Sequence, residues 1–343
     1  SSAYFQVDLY TGTGSSLSPT FDGNSAMQPD FVWIKDRSAN ADHALYDSSR
    51  GVQKQLESNT TAAGTTESTG LTAFGSDGFT VGGLAQVNTS SDTYVAWGWK
   101  ANSGTRTTFT ESGANPGGGY QVNTTAGFSI VDYTGTGSAG TISHGLTVAP
   151  EVIIVKNRGA TEDWCVYHHK NTAAPETDFL KLNTDAATAD ATVWNDTAPT
   201  TSVFSVGTDA DVNSDGVTYI AYCWAEVQGY SKFGGYTGNG DANGTFVYTG
   251  FKPAFVMFKR TSGTRNWVII DNKRDIYNVA TIRLFPDSDD DDNALANLVD
   301  FTSNGFKPRN TNVITNGSGD TYIYMAFAEN PFTTSGGVPV TAR

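Results

Sequence analysis

Apolar positions along this chain gather into short runs, rich in β-branched and aromatic side chains, and each run ends in Gly, Asn, Asp or Pro. That spacing predicts strands punctuated by turns. In Phe31-Val-Trp-Ile34 and Val152-Ile-Ile-Val155 both alternating faces are apolar. These strands should therefore be buried on both sides. The run Tyr219-Ile-Ala-Tyr-Cys-Trp-Ala225 behaves likewise. Helical periodicity is confined to one candidate near 292–299.

The runs recur at a fixed period. Tyr-Thr-Gly-Thr-Gly at 10–14 returns at 133–137, and as Tyr-Thr-Gly-Asn-Gly at 236–240. Tyr133 and Tyr236 stand 103 residues apart, as do Pro150 and Pro253, Trp164 and Trp267, Tyr219 and Tyr322, and Glu226 and Glu329. Five landmarks in one register define a repeat. The first stretch is more divergent but keeps the order, with Gln28-Pro-Asp-Phe-Val-Trp-Ile-Lys35 and Thr93-Tyr-Val-Ala-Trp97. A Gly-rich insert at 101–119 separates the first and second units and reads as a linker or protruding hairpin. The expected fold is all-β, with three tandem antiparallel β-sandwich, jelly-roll-like domains at 1–118, 119–228 and 229–343. The recurring motif itself reads as a strand end and turn, with Gly supplying the backbone angles. No helix follows to make it a phosphate loop.

Composition narrows the function classes. A net charge of -14 sets the chain against nucleic acid. No apolar run approaches the roughly 18 residues of a membrane span, so membrane insertion is not expected. The first 30 residues lack the charged and apolar segments of a signal peptide. Cys165 and Cys223 lie in strand-like runs, either paired or as buried thiols.

Candidate chemistry is sparse. Asp211, Asn213 and Asp215 match the start of a calcium loop, but its twelfth position is Tyr222, where a bidentate carboxylate belongs. A polar turn before the following strand is the competing reading. The acidic run 287–293 offers Asp289 and Asp291 as further calcium ligands, against a solvated loop of mutually repelling charges. No other cofactor is expected. Glu226 and Glu329 share a register, yet equivalent positions of separate domains do not converge as a glycosidase pair must. His43, His144, His168 and His169 are scattered, and the His168-His169 pair reads as a strand end with a surface role. Trp97, Trp99, Trp164, Trp194 and Trp267 are candidate sugar platforms, although the register of Trp164 with Trp267 favours core packing. No acid, base or nucleophile constellation emerges, so no catalytic residue is assigned and no enzyme is expected.

The stretch Tyr219–Gly240, the stretch Phe246–Arg260, Asn123–Val131, Ile154–Arg158, Gln28–Arg37 and the ending Ala-Phe-Ala-Glu-Asn-Pro-Phe resemble a repeated domain of unknown function. It is found in structural and tail-associated proteins of bacteriophages, particularly marine ones. The resemblance covers essentially the whole chain and implies a virion component, located in the extracellular particle. It carries no catalytic or binding residues across. The expected role is a non-enzymatic tail, fibre or surface-decoration protein, whose partners are copies of itself and other virion proteins. Recognition of a host-surface glycan is the alternative, and a polysaccharide depolymerase is a more remote one.

Overall fold

The computed structural model describes residues 2–328 together with the short strands Phe332–Thr333 and Pro339–Val340. The all-β expectation holds, with helix confined to single turns such as Ala85–Asn88 and Ala210–Asn213. Three antiparallel sheets share one strand order. In the first, Phe5–Thr11 pairs with Thr93–Trp99, which pairs with Phe31–Asp36 and then Ala44–Asp47. In the second the order is Phe128–Thr134, Thr218–Trp224, Val152–Asn157, Trp164–His168. In the third it is Ser231–Thr237, Thr321–Ala328, Pro253–Arg260, Val268–Asp271.

The doubly apolar strands have the burial their pattern required, and the pleat sends alternate side chains to different cores. Val32, Ile34, Tyr94 and Ala96 enter a core belonging to the first unit, covered by the hairpin Leu71–Gly75 and Gly78–Val81. Ile153, Val155, Tyr219 and Ala221 do the same in the second unit, beneath Gly140–Ser143 and Val203–Val206. Val256, Phe258 and Tyr324 do so in the third, beneath the four-stranded layer Val247–Tyr248, Gly305–Pro308, Asn293–Thr302 and Ala280–Arg283. The opposite faces do not look outward. Phe31, Trp33, Trp97 and Trp99, Ile154, Trp164 and Trp224, and Phe255, Met257, Trp267 and Phe327 all join one central core drawn from the three units. Trp164 and Trp267 are thus packing residues, as their common register indicated.

Two segments depart from their sequence reading. The helical candidate near 292–299 is the strand Asn293–Thr302. Its three-and-four spacing arises from a bulge: Ala280 faces Val299 while Ile282 faces Ala294, and Asn297 takes up the slack with φ 54°. The Gly-rich insert is not a free linker but a hairpin laid along a sheet edge. Thr107–Phe109 and Gly117–Asn123 add to the edge of the second sheet, which Asp178–Lys181 and Ala189–Asp190 extend at its other end to eight strands. The strand Gly117–Asn123 runs across position 118. Cys165 and Cys223 are buried free thiols.

The recurring Tyr-Thr-Gly motif has one structural job in all three places. Its Tyr stacks on the Tyr of the neighbouring strand at 5.0, 5.0 and 4.8 Å for Tyr10–Tyr94, Tyr133–Tyr219 and Tyr236–Tyr322. A buried asparagine then holds the turn. Asn88, Asn213 and Asn316 accept through Oδ1 from the backbone N–H of Thr13, Thr136 and Asn239, at 2.7, 2.9 and 3.0 Å. The two glycines serve different ends. A Cβ on Gly12, Gly135 or Gly238 would collide with the carbonyl oxygen of Thr89, Ser214 or Gly317. Gly14, Gly137 and Gly240 have φ of 71°, 67° and 66°. Asn213 also donates to Ser138 and Gly207 carbonyls at 2.7 and 2.8 Å. Asn213→Ala removes three bonds and strands buried backbone groups, an expected loss of about 3 kcal/mol. Urea unfolding checks it, and a loss under about 1 kcal/mol, the net value of one ordinary hydrogen bond, would assign the turn's stability to its glycines instead.

Candidate functional site

Several buried polar side chains lie where the three units meet. Each unit extends the end of its fourth strand to the next. Asp47 accepts a hydrogen bond from Tyr222 of the second unit at 2.7 Å. His168 reaches the carbonyl of Tyr324 in the third at 3.0 Å, and His169 that of Phe233 at 2.9 Å. Asp271 of the third unit accepts from the indole of Trp97 in the first at 3.2 Å, and the Arg274 guanidinium lies 5.6 Å from that ring. The seams run from first to second to third and back to the first, so the circle closes. His168 is buried, against the expected surface role, because its Nδ1 accepts from Lys170 N–H and leaves Nε2–H for the seam.

A second contact repeats around the circle. Trp164 donates its indole N–H to the Glu57 carbonyl, and Trp267 to that of Lys181, each at 2.8 Å. In the first unit, Ala44 pairs with Ile34 as Cys165 pairs with Val155 and Val268 with Phe258, so His43 stands where the others have tryptophan. His43 Nε2 meets the Phe285 carbonyl at 2.9 Å, while Nδ1 accepts from Trp33 Nε1 at 2.8 Å. An indole can only donate, so the proton sits on Nε2 and the imidazole takes over the indole's task.

His43 is completely buried, and burial, with the nearby Lys35 charge, pushes its pKa down to about 3. The unfolded chain would bind a proton near 6.5. Stability from neutral His43 is therefore present above pH 6.5 and lost as pH falls toward 3, at up to about 1.4 kcal/mol per pH unit. His43→Gln keeps an acceptor and a donor but cannot titrate. Its deficit relative to the parent should narrow on acidification through that window, read by urea unfolding at several pH values. A deficit constant with pH would mean that His43 does not carry this dependence.

Lys35, Lys156 and Lys259 are equivalent buried cations on the third strand of each sheet. Burial lowers all three, the last two to about 8. Lys156 donates to the Thr61 carbonyl across one seam and Lys259 to that of Asp185 across another, at 2.9 and 3.3 Å. At Lys35 the carboxylates of Asp36, Asp289, Asp291 and Asp292 oppose the burial effect. The acidic run is a loop, but not one left wholly to solvent. Asp292 bridges Arg37 and Arg274 at 2.8 and 3.0 Å, and the Asp289 carbonyl accepts from Ala41 N–H at 2.9 Å. It closes the third-to-first seam.

Most of the proposed calcium ligands have other engagements in the fold. Asp211 lies in a one-turn helix capped by Asp209 rather than in an open turn, and accepts from Asp163 N–H at 2.9 Å. Burial pushes it up to about 6. Asn213 is engaged in holding the motif turn, Asp215 and Asp289 are exposed, and Asp291 is half-buried beside Lys35. Among the described residues, no three His, Cys, Asp or Glu side chains form a metal-binding group. Glu226 pairs with Lys232 at 2.8 Å, and Glu329 lies outside the described residues. Glu151, with burial and Glu226 acting together, is pushed up to about 7. Sequence reasoning missed the seam residues Asp47, Arg50, Asp271 and Arg274. The spacing Asp-x-x-Arg, shared by 47–50 and 271–274, was the signal that could have found them.

No helix among the described residues is long and apolar enough to cross a membrane. No curated protein and no solved structure matches the chain. Residues 1–331 match the family described as "Domain of unknown function (DUF7483)", so the chain belongs to that family.

Proposed function

We propose that this protein is a non-enzymatic structural component of a bacteriophage virion, in a tail, a fibre or a surface decoration. We read its body as three β-sandwich units on one plan, each with an inner four-stranded sheet and an outer layer. The observation that carries the reading is the closed circle of buried seams, which makes the three units one stiff body with loops at its rim. Such a body suits a building block more than a catalyst that must open and close. The contacts proposed with other copies and with virion neighbours centre on the third unit. Phe246, Tyr248, Ile276 and Tyr277 there are exposed large apolar side chains, Tyr277 at 76%.

Those exposed tyrosines also favour a second reading, in which they stack on a host-surface glycan. Labelled antibody on intact particles, together with a Tyr248→Ser/Tyr277→Ser double variant, tests the two. The structural reading expects label at a fixed place on the particle and loss of self-association in the variant. A protein absent from particles, monomeric, and binding glycan in a tyrosine-dependent way would replace it with the second reading. Steady release of reducing ends from host polysaccharide would overturn the non-enzymatic assignment.

A further inference from the structure

We infer that the seam between the first and second units holds a binding pocket for a carboxylate group, formed by Arg158 and Arg50 around Gly64. The molecule supplies its own comparison. In the seam between the third and first units, Asp292 N–H donates to the Arg37 carbonyl at 3.1 Å, and its carboxylate is held by Arg37 and Arg274. In the first-to-second seam the same backbone bond runs from Gly64 N–H to the Arg158 carbonyl at 3.0 Å. Arg50 takes the place of Arg274. Each pairs with the aspartate three residues before it, and each donates from Nη2 to a strand carbonyl, Leu45 or Ile269, at 3.0 Å. Both arginines are therefore present, with no carboxylate at the position of Asp292: Gly64 stands there, and the Arg50 Nη1 that corresponds to the Asp292-binding nitrogen of Arg274 donates to the Lys54 carbonyl at 2.9 Å.

The remaining seam shows what a matched neutral version looks like. Thr188 N–H donates to the Thr261 carbonyl at 3.2 Å, and the Thr188 hydroxyl donates to Asn171 at 2.6 Å. One seam thus has two arginines with two carboxylates, Asp271 and Asp292, one has neither, and the first-to-second seam has two arginines with the Asp47 carboxylate alone.

The space is open and suitably lined. A cavity of about 160 Å³ is bounded there by Arg50, Lys54, Gly64, Thr65, Thr66 and Arg158. The acids nearest Arg158 are committed elsewhere: Asp47 to Arg50, and Asp132 to Arg106 through two bonds. Among the described residues Arg158 has no ion-pair partner. Burial and the Arg50 charge lower its pKa, the signature of a cation short of a counter-charge. A guanidinium fork matches a carboxylate in geometry and charge, and in a chain of net charge -14 such a cationic opening is a local exception. The carboxylate can come from a free small acid or from a sugar acid. The inference stands whether or not the protein belongs to a virion.

The test titrates the intact protein with sodium acetate, sodium glucuronate and neutral glucose at low ionic strength, followed by calorimetry. Saturable binding of the acids but not glucose is expected, weakened at least about tenfold by Arg158→Gln. Acetate binding as well as glucuronate assigns the pocket to free acids, and tighter glucuronate assigns it to sugar acids. Position 64 offers an internal ligand. A Cβ there meets nothing closer than 3.5 Å, and Gly64 is not in the left-handed region. Gly64→Asp should abolish binding and raise Tm by roughly 2 °C over Gly64→Asn, a comparison that still decides if Arg158→Gln does not fold. Acid binding unchanged in Gly64→Asp, glucose binding equal to glucuronate, or a Gly64→Asp variant no more stable than Gly64→Asn would overturn the assignment.

Discussion

Trp99→Ala lowers stability by about 3–5 kcal/mol, the cost of truncating a fully buried large aromatic, and it does so for all three units at once. Trp99 belongs to the first sheet, yet its ring lies 5.0 Å from Phe5 and 5.3 Å from Phe31 of its own unit, 6.2 Å from Trp224 of the second, and 5.6 Å from Phe327 of the third. The cavity left behind opens at the centre of the shared core. Unfolding in urea, followed by far-UV circular dichroism and by tryptophan fluorescence, should give one coincident transition in parent and variant. Separate transitions, with only one shifted, would show that the units fold independently and that their common core contributes little.

Breaking the closing seam should cost about as much. Arg274 and Asp271 are both fully buried and joined at 2.6 Å, with Arg274 also holding Asp292 and lying over Trp97. Arg274→Met removes the cation and leaves the Asp271 carboxylate desolvated without a counter-charge, an expected loss of about 3–5 kcal/mol. Asp271→Asn combined with Arg274→Met should recover much of that loss, because the uncompensated charge is then gone. Equilibrium denaturation of the single and double variants measures it. A loss below about 1 kcal/mol in the single variant, the scale of an exposed pair, would mean that water reaches the pair and the seam is not closed there.

Several features were legible because they are written in local pattern. The alternation in Phe31–Ile34 and Val152–Val155 announces burial on both faces, and the spacing of 103 announces equivalent positions in the second and third units. The motif Tyr-Thr-Gly announces a turn. The burial of His168 and the strand at Asn293–Thr302 were not legible for different reasons. The histidine's partner, Tyr324, lies far along the chain, whereas the strand pairs with its neighbour Ala280–Arg283 through a bulge that breaks the two-residue alternation. The residues of the seams were only half legible. Asp47 with Arg50, and Asp271 with Arg274, form a visible spacing, whereas nothing local links Arg37 to Asp292 or Arg158 to Gly64.

By itself the sequence determined the all-β class, the position of the inner strands, the turn chemistry of the recurring motif and the common order of the three units. These follow from the two-residue pleat and from the backbone angles that only glycine adopts freely. The tertiary structure alone decided what lies against the second apolar face of each inner sheet. A strand apolar on both sides reads the same whether that face meets its own unit or its neighbours. Here it meets the neighbours, so Trp99, Trp224 and Phe327 share one core and the charge pattern becomes meaningful only across the seams. Whether an arginine finds an aspartate, as Arg37 does, or an open pocket, as Arg158 does, depends on which residue the fold brings opposite it. That is a matter of three-dimensional register between segments far apart in the chain, and no local periodicity encodes it.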